Sequence, residues 1–395
     1  MKNLMDSVSC EICGRSCKYV LNKSSDGFSV TSDSNFMETQ SSKLFHCENC
    51  DYYLTKSDYG NVNFYMEKYN LLSDYFFQDQ RLFALDDKMG RNRYQANLLS
   101  SLSANVTTDK ICEVGCGKGL TAHFYSKEAN YKNFLLHDPA FDTYVPFWEK
   151  YIKKSQPIRF LDENKLQCDL VYSFFVAEHV KDINSYILQC IDLIKESGLF
   201  ISCLPDLDQN HGDILVSDHL RHTTLDNLNR LLENIVPNPF HFKVWRDKNL
   251  RALVFAIGKS QVLQQMPLFG MDKTTQSKKL KIDKVEHLWP INSKERVIKE
   301  INDRKIILWG SSFYAKIAVL TLNLDVFKVV DSNPDFHKNV FRTFRQYDLK
   351  IYDPDILNDL NQSDFAVLLC MSKKAANSLK QVLSTKVKQM VVDLY

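Results

Sequence analysis

Apolar and polar positions change rhythm near residue 110. From there short apolar runs, Ile111–Val114, Phe134–Leu136, Asp169–Phe175, Leu199–Leu204 and Leu253–Ile257, alternate with amphipathic stretches of helical period. Short runs apolar at every position are strands buried on both faces, and the helical stretches between them are crossovers, so the pattern predicts a mostly parallel sheet. A second series follows at Lys305–Trp309, Phe327–Val330, Asp364–Cys370 and Gln389–Asp393. Upstream, residues 61–100 are rich in aromatics at helical spacing, as in Tyr65-Met-Glu-Lys-Tyr69 and Asp74-Tyr75-Phe76-Phe77. The reading is an α/β chain in four parts. These are a cysteine-bearing module over 1–60, a first α/β domain over 61–262 with 61–100 as its helical lead-in, a polar linker over 263–300, and a second α/β domain over 301–395.

Composition narrows the function classes. The chain has 395 residues, 44% of them hydrophobic, so two large cores are feasible. Its 50 basic and 48 acidic residues nearly cancel, which argues against a broad polyanion-binding face and so against nucleic acid as a partner. No apolar run is long enough to span a bilayer, and the N-terminus lacks a signal-type apolar stretch, so the expected location is cytoplasmic with no membrane partner.

Four of the eleven cysteines form two pairs, Cys10-Glu-Ile-Cys13 and Cys47-Glu-Asn-Cys50, separated by 33 residues. Two thiolate pairs on tight turns suit one tetrahedral Zn2+, and a site closed by four sulfurs is structural. Cys17 and His46 are spare donors. Asp26, Asp33 and Glu38 offset Lys18, Lys23 and Lys43 here, leaving no basic face for DNA.

Ile111-Cys-Glu113-Val-Gly115-Cys116-Gly117-Lys-Gly119 places an acidic residue in a strand before a glycine turn that feeds a helix near Leu120. Glycines allow positive φ and close approach of the backbone to a ligand. Asp138, 25 residues beyond Glu113 and followed by Pro139, ends the next strand. Its carboxylate can accept two ribose hydroxyls or cap its own turn. Leu161 and Asp162 are placed to cover and read an adenine, and the strand through Ser173 runs into a loop carrying Glu178-His179.

These residues, with Ser197-Gly198-Leu199 before the fifth strand, resemble the class I S-adenosylmethionine (SAM)-dependent methyltransferases. The resemblance implies a Rossmann-like seven-stranded sheet with its last strand antiparallel, and SAM over Gly115–Gly119 with its ribose on Asp138. The order of the parts is similar to the three-part sugar C-methyltransferases, which act on nucleotide-linked keto sugars. Ile306-Ile-Leu-Trp-Gly310-Ser-Ser and Phe327-Lys-Val-Val-Asp331-Ser-Asn-Pro334 resemble that family's C-terminal elements, implying a Rossmann-like domain that holds substrate or simply packs.

Candidate acceptor-side chemistry lies in Asp218-His219-Leu-Arg221-His222. It is similar to the family's Tyr-His-Glu-His-Leu stretch, which places His219 on the base and Asp218 on the Glu, while Val216 stands where that family has Tyr. His222 and His179 are further candidates, and Arg221 can pair with a diphosphate or sit at the surface. Cap roles for Asp218 and the histidines, and a core role for Tyr65, Tyr69 and Tyr75, compete with these. The expected activity is methyl transfer to a small-molecule nucleotide sugar, at carbon through an enolate. O-methylation of a sugar or polysaccharide precursor and a non-catalytic zinc- and SAM-binding protein are the alternatives.

Overall fold

The computed structural model describes residues 8–39, 41–59, 62–67, 89–128, 133–152, 155–159, 161, 166–267, 294–345, 347–371 and 373–392. The chain forms two compact units, each assembled from separated segments. Unit 1 comprises Met1–Tyr19, Phe45–Asp213 and His219–Lys278, and unit 2 comprises Val20–Leu44, Ile214–Asp218 and Lys279–Tyr395.

Unit 1 is built on seven strands: β1 (Lys110–Val114), β2 (Asn133–His137), β3 (Ser155–Ile158), β4 (Cys168–Phe174), β5 (Ile194–Pro205), β6 (Phe240–Asp247) and β7 (Ala252–Lys259). They lie in the order β3-β2-β1-β4-β5-β7-β6. β1 to β5 pair in parallel, and β7 runs antiparallel to both β5 and β6. The class I methyltransferase-like α/β fold is therefore present, with the predicted antiparallel closing strand. Alternation within the strands feeds two cores. Ile111, Leu170, Tyr172, Leu199 and Ile201 enter one, and Cys112, Val171, Phe200 and Leu204 enter the other. Period-two exposure to opposite faces explains why the runs read as apolar at every position.

The sheet order reverses beside β1, so the carboxyl ends of β1 and β4 bound the crevice where ligands of such sheets bind. Across residues 61–102 the described residues include helices Val62–Glu67 and Arg91–Leu102. Tyr69 and Tyr75 lie outside the described residues.

Unit 2 holds a six-stranded sheet of β8 (Lys305–Trp309), β9 (Val326–Val330), β10 (Val340–Arg342), β11 (Asp348–Tyr352), β12 (Phe365–Leu369) and β13 (Val391–Val392), in the order β10-β11-β9-β8-β12-β13. The strand expected at Gln389–Asp393 is shorter, because helix Thr385–Met390 runs to its edge. The hairpin of Phe28–Val30 with Phe36–Glu38 belongs to this unit, and its Phe28 and Phe36 rings pack on Phe344 at 6.0 and 5.8 Å. Most of the polar stretch between the cysteine pairs thus belongs to the same compact unit as the C-terminal strands.

Candidate functional site

The glycine turn follows β1. Gly115, Gly117 and Gly119 all have positive φ, at 72°, 51° and 72°. A Cβ on Gly119 would lie 2.5 Å from Ile152, and one on Gly115 would lie 2.4 Å from Val176, so both faces are packed shut. At Gly117 a Cβ would meet nothing within 4 Å. The turn is therefore open on one side, a cradle where a nucleoside can approach backbone. Trp148 braces it by donating from Nε1 to Gly117 O at 2.8 Å. Helix Leu120–Glu128 starts at the predicted point.

Glu113 and Asp138 support this turn. Glu113 accepts from the Tyr172 hydroxyl at 2.9 Å, and burial pushes its carboxyl up to about 8. A neutral, walled-in Glu113 is a brace. Asp138 accepts from the amides of Gly117 at 2.7 Å and Ala140 at 2.8 Å, and burial pushes it up to about 6. It caps the turn, and as an adjacent acceptor it remains a candidate ribose ligand. Cys116 and Pro139 flank these contacts. Ser173 shares a short hydrogen bond with Tyr186. Leu161 packs against the second core, and Asp162 lies outside the described residues.

The acceptor side is built from two segments. After β4, the loop Phe175–Val180 passes over the glycine turn through Val176 and carries Glu178 and His179. The second segment, His219–His222, is tied to it by Leu220 N donating to Glu178 O at 2.7 Å. Asp213 joins the histidines. His219 donates from Nδ1 to one carboxylate oxygen at 2.6 Å, and His222 donates from Nδ1 to the other at 2.6 Å. His222 Nε2 bonds Thr55 Oγ1 at 2.8 Å. Burial alone would push Asp213 up, but the two imidazoles, His219 foremost, hold it well below the carboxylate range. A carboxylate on Nδ1 fixes the tautomer and leaves Nε2 of His219 as the basic atom.

His179 stacks edge-on against His219 with ring centroids 4.7 Å apart, and Tyr65 packs on His179 at 5.5 Å. One donor atom each from Glu178, His179 and His219 lies within 4.8 Å of the others. Glu178 is 1% exposed, and among the described residues both its buried carboxylate oxygens lack a hydrogen-bond partner other than the residue's own backbone amide. The sequence marks Glu178 only as part of the loop that carries the resemblance, and it does not mark Asp213. The signal for Asp213 was its position six and nine residues before the two histidines.

Asp218 does not share the Asp213 constellation. Its carboxylate accepts from Ser32 N and Oγ, each at 2.7 Å, within unit 2. Arg221 is 1% exposed and spends its guanidinium on Glu11, Ala177 O and Val180 O. It is neither at the surface nor presented to a diphosphate.

The four paired cysteines converge, with one sulfur of each within 4.8 Å of the others and Cys13 and Cys47 sulfurs 3.7 Å apart. The Arg15 amide holds the Cys13 thiol down at about 6, and Arg230 donates to Cys50 Sγ at 3.3 Å. Four converging sulfurs with donors beside them fit a Zn2+. His46 is engaged by Asp51 at 2.7 Å. The cluster also bears on the acceptor side, because strand Arg221–His222 pairs antiparallel with Tyr52–Ser57, which follows the second cysteine pair.

In unit 2, Ser311 N and Oγ donate to Asp331 at 2.9 and 2.7 Å. This occupies the carboxylate that ends the second strand of the series.

Residues 86–258 match a family described as a methyltransferase domain. No curated protein matches the chain. Among solved structures, a plantazolicin methyltransferase, BamL, bound to a triazolic desmethylPZN analog and SAH is 13% identical, over 43% of this chain and 84% of that one, with a TM-score of 0.37. The YcgJ protein of Bacillus subtilis is 13% identical over 42% and 99%, at 0.34. The CurJ carbon methyltransferase is 10% identical over 43% and 54%, at 0.34. The matched residues lie in unit 1 and span its seven-stranded sheet, so this unit carries the methyltransferase domain.

Proposed function

We propose that this methyltransferase domain acts on a nucleotide-linked keto sugar and alkylates the carbon next to the carbonyl. The carrying observation is the buried His219–Asp213 pair, on a segment tied to the loop that covers the glycine turn. A carbon acid needs a base stronger than a free carboxylate and positioned by a partner. Nε2 of His219 takes the α-proton, and Asp213 stabilises the imidazolium that results. SAM bound at Gly115–Gly119, with Asp138 at its ribose, supplies an electrophilic methyl on sulfonium. His179 and Tyr65 wall the acceptor, and the zinc cluster holds the strand that follows His219.

Val216 favours O-methylation as the second reading, since a buried aliphatic side chain stands where the resembled family has a phenol. Incubation with SAM and a panel of 4-keto and fully hydroxylated nucleotide sugars, read by mass, tests the two. Gain of a methylene on keto sugars alone supports carbon methylation, and gain on hydroxylated sugars alone sinks it.

A further inference from the structure

Removing an α-proton leaves negative charge on the carbonyl oxygen, and this charge needs a hydrogen-bond donor in a dry site. Val216 offers none. Next to His219, Glu178 presents two fully buried carboxylate oxygens that, among the described residues, meet no hydrogen-bond donor beyond the residue's own backbone amide. An orphaned buried carboxyl is costly unless it serves a ligand. The loop bearing it is fixed on one side by Val176 against Gly115 and on the other by Leu220 N on Glu178 O, so the group is held between the glycine cradle and the base.

We propose that Glu178 is a second catalytic residue, a neutral carboxylic acid that donates its O–H to the acceptor's carbonyl oxygen as the enolate forms. This rests on the keto-sugar reading. The C–H bond next to the carbonyl breaks, its proton moves to Nε2 of His219, and its electron pair spreads onto the oxygen hydrogen-bonded by Glu178. Glu178 keeps its proton, and the pair returns to carbon to form the new C–C bond to methyl, as the methyl's bond to the sulfonium of bound SAM would break and leave its electron pair on sulfur in S-adenosylhomocysteine. His219 then releases its proton to solvent.

The surroundings support a protonated Glu178. Burial pushes its carboxyl up to about 7, partly offset by His219, the residue's own backbone amide and Arg91, while Asp213 adds to the rise. Tyr186 and Cys203, which also face it, are themselves pushed up and neutral. His179 completes the shell. A carboxylic acid kept neutral by its site to serve an oxyanion is an established physical arrangement.

The test compares full-length Glu178→Gln and Glu178→Ala with wild type on 4-keto nucleotide sugars. Glu178→Gln keeps a donor, so turnover should stay within about tenfold, and the decline of kcat above about pH 7 should disappear. Glu178→Ala should lose on the order of 100- to 1000-fold in kcat with the KM for SAM unchanged. An infrared difference spectrum of wild type against Glu178→Gln, needing no substrate, should show a protonated carboxyl at pH 6 that titrates near 7. Glu178→Gln failing as badly as Glu178→Ala, no protonated carboxyl at pH 6, or a second bound metal that Glu178→Gln removes would each overturn the proposal. Keto-sugar turnover with these failures overturns this inference alone, whereas methylation of hydroxylated sugars only overturns the keto-sugar reading with it.

Discussion

His219 donates from Nδ1 to Asp213 at 2.6 Å, inside a pocket where the aspartate is 1% exposed and the histidine 7%. The second oxygen of Asp213 holds His222 at the same distance. One carboxylate therefore orients two rings, and the chemistry expected of His219 depends on it.

Asp213→Asn should keep the shape and lose the tautomer control. We expect kcat to fall by roughly 100- to 10,000-fold, with SAM affinity unchanged, as measured by single-turnover kinetics and calorimetric titration. A fall of less than tenfold would show that His219 does not act through Asp213.

Glycine substitutions should separate cradle from packing. Gly119→Ala meets Ile152 at 2.5 Å and Gly117→Ala meets nothing, although both sit at positive φ. Gly119→Ala should lower both melting temperature and SAM affinity. Gly117→Ala should spare the packing and lower SAM affinity with the smaller loss of stability. Equal SAM affinity in Gly117→Ala and wild type would remove the ligand from this turn.

Much of this half of the site was readable in sequence because it is local. Glycine spacing sets the turn, and cysteine spacing sets the cluster, within a few residues of chain. The other half arises from distant contacts. Arg221 reads as a phosphate ligand until Glu11 arrives from 210 positions away to bury it. Asp218 reads as part of the acceptor machinery until Ser32, 186 positions earlier, takes its carboxylate. Glu178 is visible as a motif residue, but the burial of its carboxylate beside His219 comes from the fold.

Breaking the Arg221–Glu11 pair should be a stability lesion. Arg221→Leu leaves Glu11 with the Tyr52 hydroxyl but no counter-charge, and should cost about 3–5 kcal/mol. Thermal unfolding should report the loss, and the KM for the nucleotide sugar measured below the new transition should not move. A raised KM with unchanged stability would return Arg221 to substrate binding.

Glu113 makes a pH-dependent contribution of known sign. Its carboxyl lies at about 8 in the folded state against 4.5 ordinarily, so the folded chain holds the proton longer than the unfolded one. Stability from this group is complete below pH 4.5 and is lost as pH rises towards 8, by a few kcal/mol in all. Glu113→Gln should flatten that slope in denaturant unfolding between pH 5 and 8. An unchanged slope would show that Glu113 is ionised in the fold.

The zinc reading predicts one Zn2+ per chain by elemental analysis, lost in Cys13→Ser. Because strand Arg221–His222 pairs with the strand after Cys50, chelation should depress kcat as well as stability. Full activity after complete metal removal would uncouple the cluster from the site.

The position of the transferred methyl decides whether His219 generates a carbon nucleophile. A 4-keto nucleotide sugar would be incubated with SAM labelled in its methyl group, and the product mapped by NMR for wild type and His219→Ala. The account predicts labelled methyl on the carbon adjacent to the ketone, abolished in His219→Ala. Labelled methyl on a sugar oxygen, or carbon methylation that survives the loss of His219, would contradict it.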